Sequence, residues 1–334
     1  MSTQQPLRLG WIGLGSMGLA MAINIQKHLS QNNLPPLKYW NRTLSRGDSL
    51  KDIGGTPCSG VTELVQNCDV IFVSVSDDRA DKIITSTILS CILSSDLSKS
   101  PLTTKTIIDT TTVHPSTTSM NAAHCTSTGA YYIAAPVFGA TPLAQAGRLL
   151  IAVAGPPSAI TPILPFLENV IARAVIRVGE EPSQALLLKT TSNFITAGLM
   201  LLLSEAHVLA EKTGLPASVL ETLIGENFGG YAHGVSKRLT SGSYFPPEGQ
   251  APSSGLELGI KDVGHGVSLA RENGMRLGIG EMYLEAAEEA RVYGEERGRR
   301  CDSSAVFGTV RRRAGLEFET EVVRERDANA KERD

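Results

Sequence analysis

The sequence predicts an α/β Rossmann-type N-terminal domain followed by an all-α C-terminal domain, the two joined by a long interdomain helix. Three observations predict it. Short apolar runs alternate with helical segments through the first half of the chain, the pattern of a doubly wound parallel sheet. The first of these runs leads straight into a G-x-G-x-x-G turn at Gly13, Gly15 and Gly18. After Gly179 the strand-like runs stop, and helical segments dominate to about Arg313.

The first strand is the apolar L-G-W-I before Gly13, and apolar residues then recur at helical spacing from Leu19 to Leu29. Strand, turn and helix in that order suit the pyrophosphate of a dinucleotide. Gly13 allows the tight turn, Gly15 lets the backbone approach the phosphates, and Gly18 lets the helix pack closely on the sheet. The helix N-terminus adds unpaired N–H groups and the positive end of a dipole. Gly13, Leu14, Gly15, Ser16, Met17 and Gly18 are therefore candidate cofactor-binding residues. The second strand, Leu37 to Trp40, ends in Asn41-Arg42-Thr43. An acidic residue there would hold a ribose 2′-hydroxyl and repel a 2′-phosphate. Arg42 instead presents a planar fork of donors to a phosphate, with Asn41 and Thr43 beside it. The pattern favours NADP over NAD.

The third strand, Asp69 to Val75, is apolar enough for burial on both faces, and Val75 at its end is a further candidate cofactor contact. Strands follow at Thr106–Asp109, Tyr131–Ala135, Leu149–Ala154 and Ala174–Val178, with a Ser/Thr/Lys-rich surface loop before Thr106. From Pro182 to Thr213 the chain reads as one helix, stopped by Gly214 and Pro216. A Pro/Gly/Ser loop interrupts the later helices at Phe245 to Gly255. The expected division is residues 1–179 for an NADP-binding domain, 180–315 for a helical substrate and dimerisation domain, and 316–334 for a charged, flexible or frayed tail.

Composition narrows the class. The chain has 334 residues, 42% of them hydrophobic, and a formal net charge of −3, which argues against nucleic acid and anionic membranes as partners. No apolar run is expected to reach membrane-spanning length, because the stretch Ala197 to Leu203 stops at Ser204-Glu205. The N-terminus lacks the basic-then-apolar design of a signal peptide. Five cysteines without C-x-x-C spacing fit reduced thiols in the cytoplasm. No His/Cys/Asp cluster has the spacing of a metal site.

Lys189 and Asn193 stand at i and i+4 on the long helix, so they share one face. Such pairs are common on solvated helices. This one follows the apolar turn Ala185-Leu186-Leu187-Leu188, where a lysine can be desolvated and its pKa drawn toward working pH for proton transfer. His114 and His265 have no partner visible in the sequence.

Five ordered motifs then converge. Gly13 to Gly18 with Ala20, Met21, Ala22 and Asn24; Asp109-Thr110-Thr111-Thr112 with Pro115; Ala135-Pro136-Val137-Phe138-Gly139-Ala140 with Ala146 to Leu149; Lys189 with Asn193; and Lys261-Asp262 with Ala270 together resemble the β-hydroxyacid dehydrogenase family, 3-hydroxyisobutyrate dehydrogenase among its members. The resemblance implies NAD(P)-dependent interconversion of a β-hydroxyacid and its aldehyde or keto form. It implies that Lys189 is the general acid/base and that Asn193 positions it. It also implies substrate contacts at Thr111, Thr112, Phe138, Gly139 and Ala140, and cofactor contacts at Thr111 and Lys261. A homodimer or higher homo-oligomer is the implied assembly, with the apolar stripe at Leu199 to Leu203 covered by a second copy. The chain departs from the family pattern at Ala134, where the family often has an acidic residue, in the loop Pro246 to Gly255, and at two substrate-site residues. Thr111 stands where the family has serine, and Phe138 replaces the serine of S-G-G, which implies a bulkier, more apolar substrate pocket. An imine reductase or reductive aminase on the same fold and a non-catalytic nucleotide-binding protein are the alternatives.

Overall fold

The computed structural model describes residues 5–94 and 105–331; residues 95–104, most of the Ser/Thr/Lys-rich segment, lie outside them. The chain divides into two compact units, Met1–Lys189 and Thr190–Asp334. The first unit ends inside the long helix, whose opening residues Ala185 and Leu186 pack into that unit's apolar core.

The first unit is built on one nine-stranded sheet: β1 (Leu9–Ile12), β2 (Lys38–Trp40), β3 (Thr56–Pro57), β4 (Val70–Val73), β5 (Thr106–Asp109), β6 (Tyr131–Ala134), β7 (Val137–Phe138), β8 (Leu149–Ala154) and β9 (Ala172–Gly179). The order is β3-β2-β1-β4-β5-β6-β8-β7, with β9 also on β8. Pairing is parallel from β3 through β6. It turns antiparallel where β8 meets β6 and β7, a reversal confined to one edge of the parallel-dominated sheet. The two-residue strands β3 and β7 were not foreseen; each is too short to show a period.

Side chains alternate across the central strands as the pleat requires. Leu9, Trp11, Phe72, Ile108 and Ile133 enter one apolar layer. Ile12, Ile71, Val73, Ile107, Tyr132 and Ala134 enter the other. Trp11 and Phe72 stack with ring centroids 5.0 Å apart. Ala185 and Leu186, from the start of the long helix, complete the second layer. Covering both faces leaves only the strand ends open, which is where ligands bind in open α/β sheets.

The second unit is helical. The long helix Ser183–Thr213 continues into it, followed by Ala217–Thr240, Leu256–Glu272, Gly278–Glu295, Val306–Arg313 and Glu321–Lys331. Tyr244, Phe245, Tyr283, Phe307 and Phe318 fill its core. The loop after Phe245 is pinned at its far end, where the buried Asp302 accepts hydrogen bonds from the Ser254 N–H at 3.0 Å and the Ser304 hydroxyl at 2.6 Å and pairs with Arg238.

Three expectations change here. The charged tail forms a helix anchored by the buried Phe318 and Val323 and by Arg326, which donates to the Phe245 carbonyl at 2.9 Å; two apolar positions suffice to fix an otherwise charged segment. Within Ser183–Thr213 a stretch of 18 residues has a mean hydropathy of 1.5, so among the described residues one helix is, by length and composition alone, long and apolar enough to cross a membrane. Scattered threonines and serines lower hydropathy little, and the run was broken too early at Ser204. Finally, Met200, Leu201 and Leu203 belong to this unit's own core, whereas Ile195, Leu202 and Leu209 are the exposed apolar residues, 61%, 61% and 65% accessible.

Candidate functional site

The turn after β1 is held open by what its glycines lack. Gly13 has φ +96°, and a Cβ there would lie 2.1 Å from the Ser74 carbonyl oxygen. A Cβ on Gly18 would lie 2.3 Å from the Gly13 carbonyl oxygen, so the helix Ser16–Gln31 packs against the turn only because that atom is missing. Gly15 differs: nothing lies within 4 Å of its Cβ position. It caps the helix with no side-chain hydrogen bond, and the first turn carries no acidic residue. The result is a cradle of backbone at a helix N-terminus, suited to an anionic group.

Neighbouring strand ends fix this cradle. The Gly13 N–H donates to the Trp40 carbonyl at 3.1 Å, and the Leu14 N–H donates to Asn41 Oδ1 at 2.9 Å. Asn41 Nδ2 donates in turn to the Thr43 carbonyl at 2.7 Å. Asn41 thus ties the β2 end to the turn. Arg42 beside it is exposed and makes no hydrogen bond or ion pair among the described residues. The cradle lies where β1 separates β2 from β4, the switch point at which chain order reverses and dinucleotides bind.

Past β4 and β5 a second set of contacts forms. The Val75 N–H donates to Thr111 Oγ1 at 3.2 Å, and the Thr111 N–H donates to Asp109 Oδ1 at 2.9 Å. Thr111 is only 3% exposed, so its hydroxyl serves the backbone of Val75 and Thr112 is the more accessible of the two. Phe138 ends β7 half-buried, with Gly139 after it at φ +129°. The Lys189 Nζ lies over the Phe138 ring, 5.1 Å from its centroid. The structure therefore brings the sequence-chosen lysine onto the residue that departs from the family pattern. His114 takes a structural place: it caps the helix Pro115–Ser127, its ring Nδ1 accepting from the Ser116 N–H at 3.3 Å.

In the second unit, Asn193 Nδ2 donates to Asp262 Oδ2 at 2.8 Å, and Lys261 Nζ pairs with Asp262 Oδ1 at 3.0 Å. Asp262 is the functional candidate that sequence reasoning missed. It stands in the Lys261-Asp262 motif without a role of its own, because its link to Asn193 spans 69 positions and no local spacing announces that contact. Among the described residues no group of His, Cys, Asp or Glu could hold a metal ion. All five cysteines are buried, and no disulfide joins any of them.

A parallel-stranded switch point with a backbone cradle defines a dinucleotide-binding oxidoreductase architecture. Residues 8–179 match the family described as the NAD binding domain of 6-phosphogluconate dehydrogenase, just over half of the chain. The NADH-dependent oxidoreductase ucdB of Aspergillus ustus is 27% identical over 91% of this chain and 99% of its own. Glyoxylate/succinic semialdehyde reductase 1 of Arabidopsis thaliana is 27% identical over 86% and 94%. The 3-hydroxyisobutyrate dehydrogenase of Mycobacterium tuberculosis, solved with L-serine, has the same fold, with a TM-score of 0.75 at 21% identity over 92% of this chain and 99% of that one. The chain belongs to the β-hydroxyacid dehydrogenase family and is an NAD(P)-dependent oxidoreductase of hydroxyacid or semialdehyde reductase type.

Proposed function

We propose that this protein uses NADPH to reduce a short aldehyde or keto acid bearing an apolar or bulky group, or runs the reverse oxidation of a β-hydroxyacid, with Lys189 as general acid/base. The observation that carries this reading is the Lys189 ammonium seated over the Phe138 ring at 5.1 Å. Bound dinucleotide supplies or accepts hydride. The chain must supply a proton at the substrate oxygen, and a lysine held against an aromatic face by its quadrupole is a proton carrier on a fixed mount. Asn193 would orient the substrate oxygen, with its own amide set by Asp262. Gly139 and Ala140 would offer backbone N–H groups, and Thr112 a hydroxyl, to a carboxylate.

The cofactor assignment rests on Arg42, exposed at the β2 end where no acid stands to repel a 2′-phosphate. The Aspergillus relative is named NADH-dependent, so the two cofactors must be compared directly. Gly13 to Gly18, Val75, Thr111 and Lys261 would complete the dinucleotide contacts. Incubation with NADPH or NADH and a panel of semialdehydes, 2-oxo acids and cyclic imines, followed by cofactor absorbance, tests the whole reading. Turnover of imines alone would overturn it.

We also propose a homodimer or higher homo-oligomer. Ile195, Leu202 and Leu209 recur every seven residues and are exposed, a stripe that a symmetric contact would cover. A cytoplasmic location is part of the same proposal, resting on five cysteines that form no disulfide.

A further inference from the structure

The first unit buries two carboxyl groups side by side, and the mechanism above uses neither. Asp81 is 0% exposed and Asp109 is 2% exposed. Their hydrogen bonds are unequal. Asp109 accepts from two donors, the Tyr132 hydroxyl on Oδ2 at 2.6 Å and the Thr111 N–H on Oδ1 at 2.9 Å. Asp81 accepts from one, Asn121 Nδ2 on Oδ2 at 2.6 Å, and its buried Oδ1 meets no donor. A carboxylate oxygen without a donor is costly in such a place; a carboxylic O–H pointing at Asp109 removes the difficulty. The titratable groups facing Asp81 are Asp78 on its own helix, Asp109 on β5, Cys125 on the helix Pro115–Ser127 and Tyr132 on β6. All of these are acids, so none of them offsets a second negative charge.

We infer that Asp81 and Asp109 share one proton, carried by Asp81, and that this pair is the positioning device for the Thr111 loop and, through it, for Val75. Asp81 as a neutral acid donates to the Asp109 anion, Asp109 holds the Thr111 N–H, and the Thr111 hydroxyl holds the Val75 N–H. Burial, reinforced by the Asp109 charge, pushes the Asp81 carboxyl up to about 9, consistent with the hydrogen-bond count. The link to cofactor binding rests on the proposed function, which assigns Val75 and Thr111 to the dinucleotide; the protonation of the pair does not.

Isosteric variants separate the two carboxyls. Asp81→Asn keeps a neutral donor toward Asp109 and an acceptor for Asn121, so it should fold and bind NADPH within about twofold of the parent. Asp109→Asn replaces an acceptor with a donor facing Tyr132 and Asp81, and should weaken NADPH at least about tenfold. Infrared spectra of the cofactor-free protein at neutral pH give a direct signature. The parent should show the C=O stretch of a buried carboxylic acid, and Asp81→Asn should abolish it. The linkage has a definite sign. The folded pKa of Asp81 lies above its unfolded value near ~3.9, so its contribution falls as pH rises from about 4 toward 9. The parent's Tm should drop by about 5 °C or more between pH 6 and 9, and Asp81→Asn should flatten that drop. A parent without the acid band, or an Asp81→Asn variant with the parent's Tm profile, overturns the shared proton whatever the cofactor does. Equal NADPH binding by both variants overturns the positioning role. Failure of the parent itself to bind NADPH or NADH overturns the functional reading, while the infrared and Tm results still decide the pair.

Discussion

In the first unit the cofactor cradle is made of backbone: Gly13, Gly15 and Gly18 matter for the atoms they lack, within six consecutive positions. In the second unit the polar cluster is made of side chains, with Asn193 bonded to Asp262 across 69 positions and Lys261 paired with the same carboxylate. The first arrangement is local and pre-formed, so it tolerates almost no substitution. The second depends on helix packing and on one bidentate aspartate. A backbone site therefore announces itself in a short motif, whereas a side-chain site is visible only when the helices are assembled.

The largest expected effect falls on the chemistry itself. Lys189→Met should lower turnover roughly 10²–10⁴-fold while NADPH still binds, because the cradle contains no side chain of that helix. Single-turnover kinetics beside a fluorescence titration check both halves. Near-normal turnover would remove the proton-transfer role and turn attention to imine chemistry.

Next come the glycines, which sharpen the contrast within the cradle. Gly13→Ala must place a Cβ at positive φ against the Ser74 carbonyl and should cost about 3 kcal/mol of stability. Gly15→Ala has open space and φ −69°, so stability should stay within about 0.5 kcal/mol. Its dinucleotide affinity should nonetheless fall about tenfold or more, because the new methyl group fills the cradle. Chemical denaturation and titration of both variants distinguish fold from cradle; equal behaviour would break the distinction.

A smaller and more selective effect belongs to Arg42. Arg42→Ala should weaken NADPH by about 1.5–3 kcal/mol and leave NADH nearly unchanged, measured by calorimetry with each cofactor. Equal weakening of the two would reassign Arg42 to the solvated surface. In the second unit, Asp262→Asn should reduce kcat about tenfold, less than Lys189→Met, because it loosens Asn193 rather than removing the proton carrier. Steady-state kinetics that show KM alone changing would place Asp262 in cofactor or substrate binding instead. The mildest test concerns assembly. Leu202→Glu should shift the light-scattering mass downward with activity per chain reduced at most about twofold; an unchanged mass would detach the exposed stripe from self-association.

The sequence by itself determined the elements whose physics is local. Gly13 and Gly18 declare a turn that other residues could not make, and the alternation in β1, β4, β5 and β6 declares a sheet covered on both faces. Lys189 was singled out as a candidate by the apolar turn before it and by a resemblance over five motifs. Tertiary structure alone decided the rest. The antiparallel edge at β8 depends on a two-residue strand with no period to read. The tail became a helix because Val323 and Phe318 found a core, and Asn41 proved to be a brace for the glycine turn rather than a free polar group. Asp81 and Asp109, 28 positions apart in the sequence, became neighbouring buried acids only in the folded chain, where Asp81 on the helix Asp78–Ser94 faces the end of β5. Local rules act through spacing along the chain, whereas burial, charge pairing and proton sharing depend on which distant residues the folded chain brings within hydrogen-bond reach.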